Sequence, residues 1–278
     1  MRIIAVTNQK GGVGKTTICA SVCGCLNKIG KSVLAIDLDP QGNLSFSLGA
    51  EFYDNMYTLY NVMKGQIELH DAIQHTEYCD IAPSNITLSG LELELTSVGR
   101  EYILRDQLEL IATDYDYVII DTPPALSILT INAYTAADWL IIPMLGEILS
   151  LQGLSQLKET IFAVKKYFNK SLEVRGILIN KYNPRLILTK EVEELAAIVS
   201  EQLNTEVFET KIGQSISVAE APAHGKPISE YAPRSRSAEE FESLTYEILG
   251  REKPKKVIKK LGRGRPRKYQ RPEEIEYQ

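Results

Sequence analysis

The chain has 278 residues, of which 44% are hydrophobic and 24% are charged, and its formal net charge is −5. This length can bury a large core as one domain, or as one domain with an appendage. No run of 18 apolar residues occurs, and the first residues enter a strand pattern directly, without the charged leader of a signal peptide. We therefore expect a cytoplasmic protein with no membrane association.

The first predicted element is a strand over residues 2–7, which leads into a glycine-rich loop. Residues 10–17 read KGGVGKTT and open a helix predicted over 16–29. Glycines let successive backbone N–H groups turn inward on phosphate oxygens, and the helix N-terminus adds the positive end of its dipole. Lys15 lies where a P-loop lysine reaches the β- and γ-phosphates, and Thr16 offers a hydroxyl for Mg²⁺. The predicted nucleotide-binding residues of the loop are Gly11, Gly12, Val13, Gly14, Lys15, Thr16 and Thr17.

The loop departs from the standard pattern at its mouth. The pattern G-x-x-x-x-G-K-[ST] would place its first glycine at position 9, but this chain has Gln9 there and Lys10 beside it. The sequence thus combines a phosphate-binding loop with an additional lysine.

The helix predicted over 16–29 also carries three of the four cysteines, on apolar positions. No C-x-x-C spacing and no nearby histidine pair accompanies them. We expect the thiols to pack in the core, and the sequence gives no support for iron–sulfur ligation. The four are Cys19, Cys23, Cys25 and Cys79.

Carboxylates follow two of the later predicted strands. The strand at 33–37 ends in Asp37 and is followed by Asp39, and the strand at 117–121 ends in Asp121. The carboxyl ends of strands face the ligand in open parallel sheets. These three side chains are therefore candidates for a site below the phosphate-binding loop, with Asp121 placed to hold Mg²⁺.

Short apolar strands alternate with amphipathic helices along the whole chain. This alternation predicts an α/β fold of the P-loop NTPase type, with a mostly parallel sheet covered by helices on both faces and right-handed crossovers. We assign this domain to residues 1–250. The remaining predicted strands are 79–82, 139–143, 175–181 and 206–208. The remaining predicted helices are 101–112, 153–168, 189–203 and 234–249.

The motifs together resemble the ParA/Soj/MinD family of P-loop ATPases. The KGGVGKTT loop is similar to the family's deviant Walker A motif, and DLDPQGN at 37–43 with DTPP at 121–124 resembles the ParA/Soj branch more than MinD. Later segments, including 129–138, 153–157 and 220–236, continue the likeness. The resemblance covers about residues 1 to 249.

The resemblance implies roles for individual residues. Lys10 would contact the phosphates of ATP bound to a second subunit, so that the nucleotide joins two monomers face to face. Asp39 would orient the attacking water, and Asp37 would support the Mg²⁺ site and its loop. Asn180, at the end of the strand predicted over 175–181, matches the adenine-contacting position. The implied catalytic residues are Lys10, Lys15 and Asp39, and the implied Mg²⁺ site is Thr16, Asp37 and Asp121.

The family's function gives the main hypothesis. It implies an ATPase for DNA partitioning that forms an ATP sandwich homodimer, binds DNA non-specifically at the nucleoid, and hydrolyses ATP on stimulation by a ParB-like, centromere-binding partner. Its cofactors would be ATP and Mg²⁺.

The C-terminal segment, residues 251–278, differs in charge from the rest of the chain. Residues 251–272 contain 11 lysines and arginines against one acid, a net charge of +10, and 273–278 contain three glutamates. Since the whole chain carries −5, residues 1–250 carry −12. A polyanion should be repelled by the body and attracted by the tail.

Residues 262–268, GRGRPRK, resemble an AT-hook, whose R-G-R-P core lies in the minor groove of A·T-rich DNA. A tail that binds phosphates without groove preference and a merely solvated, disordered tail are the alternatives. The predicted DNA-binding residues of the tail are Lys259, Lys260, Arg263, Arg265, Arg267 and Lys268.

The folded body differs from Soj-like proteins in the segment that binds DNA in that family. Soj-like proteins carry DNA-binding arginines just before a S-E-A-P segment, where this chain has glycine and serine, and only Arg185 and Lys211 remain nearby. We hypothesise that DNA binding has moved, at least partly, from the body to the tail.

Two other functions compete with partitioning. A MinD-like membrane-cycling ATPase would need an amphipathic C-terminal helix, but the apolar stripe of Val257, Ile258 and Leu261 ends at a Gly- and Pro-containing segment. A DNA-bound regulator that ATP switches with little turnover is the third possibility, and Asp39 argues against it.

Overall fold

An eight-stranded sheet lies at the centre of the structure, a computed structural model that describes residues 1–145, 151–185, 188–251 and 253. The strands are β1 Arg2–Val6, β2 Val33–Asp37, β3 Gln74–His75, β4 Asp80–Ala82, β5 Tyr117–Asp121, β6 Trp139–Leu145, β7 Glu173–Tyr182 and β8 Ile212–Gly213. Their order across the sheet is β3-β4-β2-β5-β1-β6-β7-β8. All neighbouring pairs are parallel except β3 and β4, which are antiparallel.

Helices connect the strands and cover the sheet. The α-helices are α1 Lys15–Lys28, α2 Asn43–Ser47, α3 Leu59–Met63, α4 Leu69–Ala72, α5 Leu91–Glu94, α6 Ile103–Leu110, α7 Ile128–Ala136, α8 Leu151–Tyr167, α9 Leu188–Leu203, α10 Ile216–Glu220, α11 Ile228–Tyr231 and α12 Arg236–Ile248. Short 3₁₀ turns cover Ile86–Gly90 and Ala221–His224. None of the helices in the described part of the chain is long and apolar enough to cross a membrane.

Two apolar layers form the core, one on each face of the sheet. In β1, Ala5 belongs to the layer that includes residues of α3, α6, α7, α8 and α9. Its neighbours Ile4 and Val6 belong to the layer that includes residues of α1, α2, α11 and α12. Side chains alternate between the two faces of a strand, so a strand covered on both sides must be apolar throughout. The predicted α/β fold with helices on both faces is confirmed.

The edges of the sheet differ from the sequence prediction. The strand predicted over 206–208 is wrong, because Val207 forms only an isolated bridge to Ile177 before the chain turns away. Edge pairing to β7 resumes at β8, which has two residues, and β3 at the opposite edge is equally short. Segments of two residues are too short to show the alternation by which strands are predicted.

Strand register sets the position of the polar strand ends. Asp121 at the end of β5 pairs with Val6 on one side and with Asp37 on the other. The carboxyl ends of β1, β2 and β5 therefore lie at the same level, directly below the loop that joins β1 to α1.

Candidate nucleotide-binding site

The loop between β1 and α1 takes a conformation that requires glycine. Gly12 has a φ of +75° and Gly14, the N-cap of α1, has a φ of +90°. Side chains are strained in this left-handed region, and a Cβ on Gly14 would also collide with the Asn180 side chain. The loop thus keeps its backbone close to the start of α1, where the N–H groups of the first turn are open to an anion.

Lys15 lies at the start of α1 and is 7% exposed. Burial lowers the pKa of its ammonium, and the nearby carboxylates of Asp121 and Asp39 act in the opposite direction. The P-loop lysine is therefore held inside the site, beside two carboxyl groups.

Thr16 and Asp121 form the centre of the predicted Mg²⁺ site. The Thr16 hydroxyl donates to Asp121 Oδ2 at 2.6 Å. Asp121 is fully buried, and its Oδ1 has no hydrogen-bond partner among the described residues. Burial, with the charge of Asp37 beside it, raises the pKa of Asp121 well above its usual value.

A buried carboxylate oxygen without a partner, next to a threonine hydroxyl, suits Mg²⁺. This ion binds oxygen ligands and takes one or two from the protein, with the rest from phosphates and water. The described residues contain no group of three or more His, Cys, Asp or Glu arranged to hold a metal ion. The residues present therefore fit Mg²⁺ bound together with a nucleotide, and they do not form a metal cage made of protein alone.

Asp37 is fully buried, and both of its oxygens accept hydrogen bonds from the following loop. Oδ1 accepts from the Asp39 N–H at 3.2 Å, and Oδ2 accepts from the Ser45 N–H at 2.8 Å and the Ser45 hydroxyl at 2.7 Å. Burial raises the pKa of Asp37 to about 6, although these hydrogen bonds favour its charged form. Asp37 thus fixes the segment from β2 to α2; its support of Mg²⁺ stays a prediction.

Asp39 lies half-buried on this segment and lines the same cleft as the phosphate-binding loop. Its Oδ1 accepts from the Gln41 N–H at 3.0 Å, which closes a tight turn. The catalytic role of Asp39 is a prediction that its position allows.

Residues at the end of β7 hold the loop from the other side. Asn180 is 5% exposed, and its Nδ2 donates to the carbonyl of Val13 at 2.8 Å. Lys181 donates from Nζ to the carbonyl of Gly12 at 3.1 Å. Asn180 lines the cleft, so a contact with adenine stays a prediction. Lys181 is not among the residues predicted from the sequence, where its only signal is its place next to Asn180.

Asn8, which is also not among the residues predicted from the sequence, fixes the start of the loop. Asn8 is 6% exposed; its Nδ2 donates to the Pro143 carbonyl at 2.7 Å and its Oδ1 accepts from the Lys10 N–H at 2.9 Å. A polar residue directly after a buried strand was the available signal. The side chain of Lys10 is exposed at the mouth of the loop.

These elements enclose an open cleft of about 880 Å³. Sites for small molecules are typically about 300 to 1,000 Å³, so a nucleotide fits this volume. Residues between Gly213 and Ala223 line the wall opposite the phosphate-binding loop. These residues therefore border the nucleotide site in this chain.

Two of the predicted DNA-binding residues, Lys211 and Arg185, lie among the described residues. Lys211 forms an ion pair with Glu193, and its Nζ lies 4.6 Å from the centre of the Tyr182 ring. Arg185 is exposed in the turn after β7. Lys253, which is not one of these predicted residues but belongs to the basic tail, pairs with Glu242 of α12 at 2.9 Å. The remaining predicted contacts, Lys259, Lys260, Arg263, Arg265, Arg267 and Lys268, lie outside the described residues.

A parallel sheet whose first strand leads through a glycine-rich loop into a helix, with carboxylates at the ends of the neighbouring strands, defines a P-loop nucleotide-binding protein. Comparisons with known proteins agree. A family model described as an AAA domain matches residues 1–174. The chain is 43% identical over 250 residues to the sporulation initiation inhibitor protein Soj of Bacillus subtilis, covering 89% of this chain and 98% of that protein.

Similarity extends to a second relative and to a solved structure. The chain is 39% identical over 262 residues to the chromosome partitioning protein ParA of Caulobacter vibrioides, covering 92% of this chain and 97% of that protein. Cobyrinic acid a,c-diamide synthase from Mycobacterium smegmatis, solved with a bound ATP analog and magnesium, matches with a TM-score of 0.75 and 34% identity over 90% of this chain and 94% of that chain. The chain belongs to the ParA/Soj family of P-loop ATPases, which confirms the resemblance of its motifs.

Proposed function

We propose that this protein is a DNA-partitioning ATPase. Thr16 donates to one oxygen of Asp121, and the other oxygen has no partner in the part of the chain that the structure describes; this observation supports ATP with Mg²⁺ as the ligand. The names of the Soj and ParA relatives support the partitioning role. The likeness to the synthase solved with an ATP analog and magnesium supports the nucleotide site.

In the proposed hydrolysis, the protein positions the attacking water and stabilises the charge that develops on the phosphates. Mg²⁺ would neutralise charge on the phosphates when bound. Lys15 holds a positive charge inside the cleft, where solvent screens it little. Asp39 would hold one water in line with the γ-phosphate, and its backbone N–H bond to Asp37 limits its movement.

The proposed active species is a homodimer with ATP between two subunits. Lys10 is exposed at the mouth of the loop, with its backbone N–H held by Asn8. From this position the Lys10 side chain would reach the phosphates bound to the facing subunit. A ParB-like partner bound at a centromere-like site would stimulate hydrolysis and release the dimer.

The proposed DNA contacts depend on charge. The body carries −12 and residues 251–272 carry +10, so the tail would attract the polyanion that the body repels. The GRGRPRK segment at 262–268 would favour the narrow minor groove of A·T-rich DNA. The protein would then be cytoplasmic and associated with the nucleoid.

The test is binding to A·T-rich and G·C-rich duplexes, with ATP or ADP, across a salt series. The full chain is compared with a 1–252 truncation and with a full-length R263Q/R265Q variant. We expect ATP-dependent binding that the truncation loses, and a loss of A·T preference in the double variant. Each lost phosphate contact should reduce the slope of log K against log salt by about 0.9.

Three other outcomes of this experiment would contradict parts of the proposal. Unchanged binding by the truncation would return the DNA site to the folded body. Unchanged A·T preference in the double variant would contradict the AT-hook. No binding by either form, with ATP binding intact, would overturn the partitioning role and favour a membrane or protein partner.

A further inference from the structure

The backbone of Lys181 has a conformation that is unfavourable for lysine. Its φ is +53°, in the left-handed region. The only other non-glycine residues with positive φ in the described part of the chain are Asn55 and Asn204, and asparagine tolerates this region better than lysine does. Such strain persists where surrounding contacts fix it, and it is concentrated at functional sites.

The conformation allows two consecutive side chains to reach the same loop. In a regular strand, neighbouring side chains point to opposite faces, so Asn180 and Lys181 could not both contact the phosphate-binding loop. The pairing of β7 with β8 shifts register between Asn180 and Tyr182, directly around Lys181. The two side chains then donate to the consecutive carbonyls of Val13 and Gly12.

Holding these carbonyls also fixes the neighbouring N–H groups. Within a trans peptide unit, the C=O of one residue and the N–H of the next point in opposite directions. Lys181, by holding the Gly12 carbonyl, turns the Val13 N–H away from β7. Asn180 does the same for the Gly14 N–H through the carbonyl of Val13. Inward N–H groups are what a phosphate-binding loop presents to its ligand.

We propose that Lys181 is a positioning residue for nucleotide binding. It acts through the Gly12 carbonyl to hold the loop open for a nucleoside triphosphate before the nucleotide arrives. Lys181 is also one of the residues that line the cleft. This inference rests on the nucleotide-binding part of the proposed function and is independent of DNA and of the partner.

The test compares three substitutions of Lys181 with one control. Lys181→Met keeps most of the apolar stem and removes the ammonium, whereas Lys181→Arg keeps a charged donor. Lys181→Gly removes the side chain and also the backbone strain, so it should fold even where Met does not. The control is Lys170→Met, an exposed lysine after α8 that lies outside the cleft.

Affinity for ATP and ADP is measured by calorimetry with Mg²⁺, together with KM and kcat for ATP hydrolysis. A charge-assisted hydrogen bond suggests that Lys181→Met weakens affinity roughly 10-fold and raises KM with little change in kcat. Lys181→Arg should stay within about threefold of the wild type, and Lys170→Met should match it. Lys181→Gly should bind as weakly as Lys181→Met while melting at a higher temperature.

Wild-type affinity in Lys181→Met or in Lys181→Gly would overturn the inference, as would a fall in kcat at constant KM. Wild-type protein that binds no ATP would instead refute the nucleotide-binding part of the proposed function, and this inference with it. The two failures are therefore distinguishable.

Discussion

At the scale of single residues, the buried carboxylates of Asp37 and Asp121 differ in whether an oxygen is available to bind a ligand. Both oxygens of Asp37 accept hydrogen bonds from the segment that carries Asp39. One oxygen of Asp121 accepts a hydrogen bond from Thr16, and the other is buried without a partner among the described residues. Because an unpaired buried carboxylate oxygen is costly, the second arrangement indicates a site for a cation.

The first prediction concerns Asp121 and Mg²⁺. Asp121→Asn keeps the shape of the side chain but removes its charge, so we expect the Mg²⁺-dependent part of ATP affinity to be lost. Calorimetric titrations with Mg²⁺ and with EDTA check this. Asp116→Asn, on the exposed residue just before β5, is the matched control and should bind as the wild type does. Undiminished Mg²⁺ dependence in Asp121→Asn would refute the assignment.

The second prediction concerns Asp39. Asp39→Ala should bind ATP normally and slow hydrolysis by about 100-fold or more, since positioned acid–base groups contribute roughly 10² to 10⁴ in rate. Phosphate release under single-turnover conditions measures the step. Asp54→Ala, which removes an exposed carboxylate outside the cleft, should hydrolyse ATP at the wild-type rate. A rapidly cycling Asp39 variant would contradict the catalytic role.

At the scale of elements, α1 connects the phosphate site to the C-terminal helices. Its cysteines are buried and free, as is Cys79, which confirms their predicted packing role. Gly24 lets α1 approach the start of α11, because a Cβ there would lie 2.6 Å from both Pro227 Cβ and Ser229 Oγ. Phe241 of α12 is fully buried in the same apolar layer as α1. The C-terminal helices therefore support the helix whose first turn meets the nucleotide.

The third prediction follows from this packing. Phe241→Ala should lower the free energy of unfolding by about 3–5 kcal/mol, the usual cost of removing a buried aromatic side chain. Denaturant unfolding measures the change. Phe162→Ala is the matched control, because Phe162 on α8 is 47% exposed, and it should cost less than about 1 kcal/mol. Equal losses in the two variants would show that α12 does not close the core.

At the scale of the whole molecule, the proposed cycle depends on one nucleotide joining two chains. The phosphate-binding loop, the Asp39 segment and the segment lining the opposite wall meet in one open cleft, with Lys10 exposed at the mouth of the loop. A second subunit placed over this cleft would exclude water from the phosphates, which strengthens every charge interaction there.

The fourth prediction tests this assembly. In an Asp39→Ala background, which should retain ATP, the protein should be dimeric with ATP and monomeric with ADP by light scattering. Adding Lys10→Ala should abolish the dimer while leaving ATP bound to the monomer. Adding Lys64→Ala instead, at a partly exposed ion pair with Glu94 that lies outside the cleft, is the control and should preserve the dimer. A stable ATP dimer without Lys10 would refute the role of the additional lysine.

The sequence by itself determined the class of fold and most of the phosphate site. Apolar runs of four residues predicted the central strands, and glycine, lysine and threonine at fixed spacing predicted the loop, because both signals are local. The carboxylates at the strand ends followed from the way parallel sheets bind ligands.

Only the tertiary structure decided which residues hold the phosphate-binding loop and complete the cleft around it. The carbonyl held by Lys181, the anchoring of the loop by Asn8 and the opposite wall of the cleft join residues far apart in the chain. The two-residue edge strands depend on a neighbour that completes them. Such contacts leave little local pattern, because their energy arises only when distant segments meet.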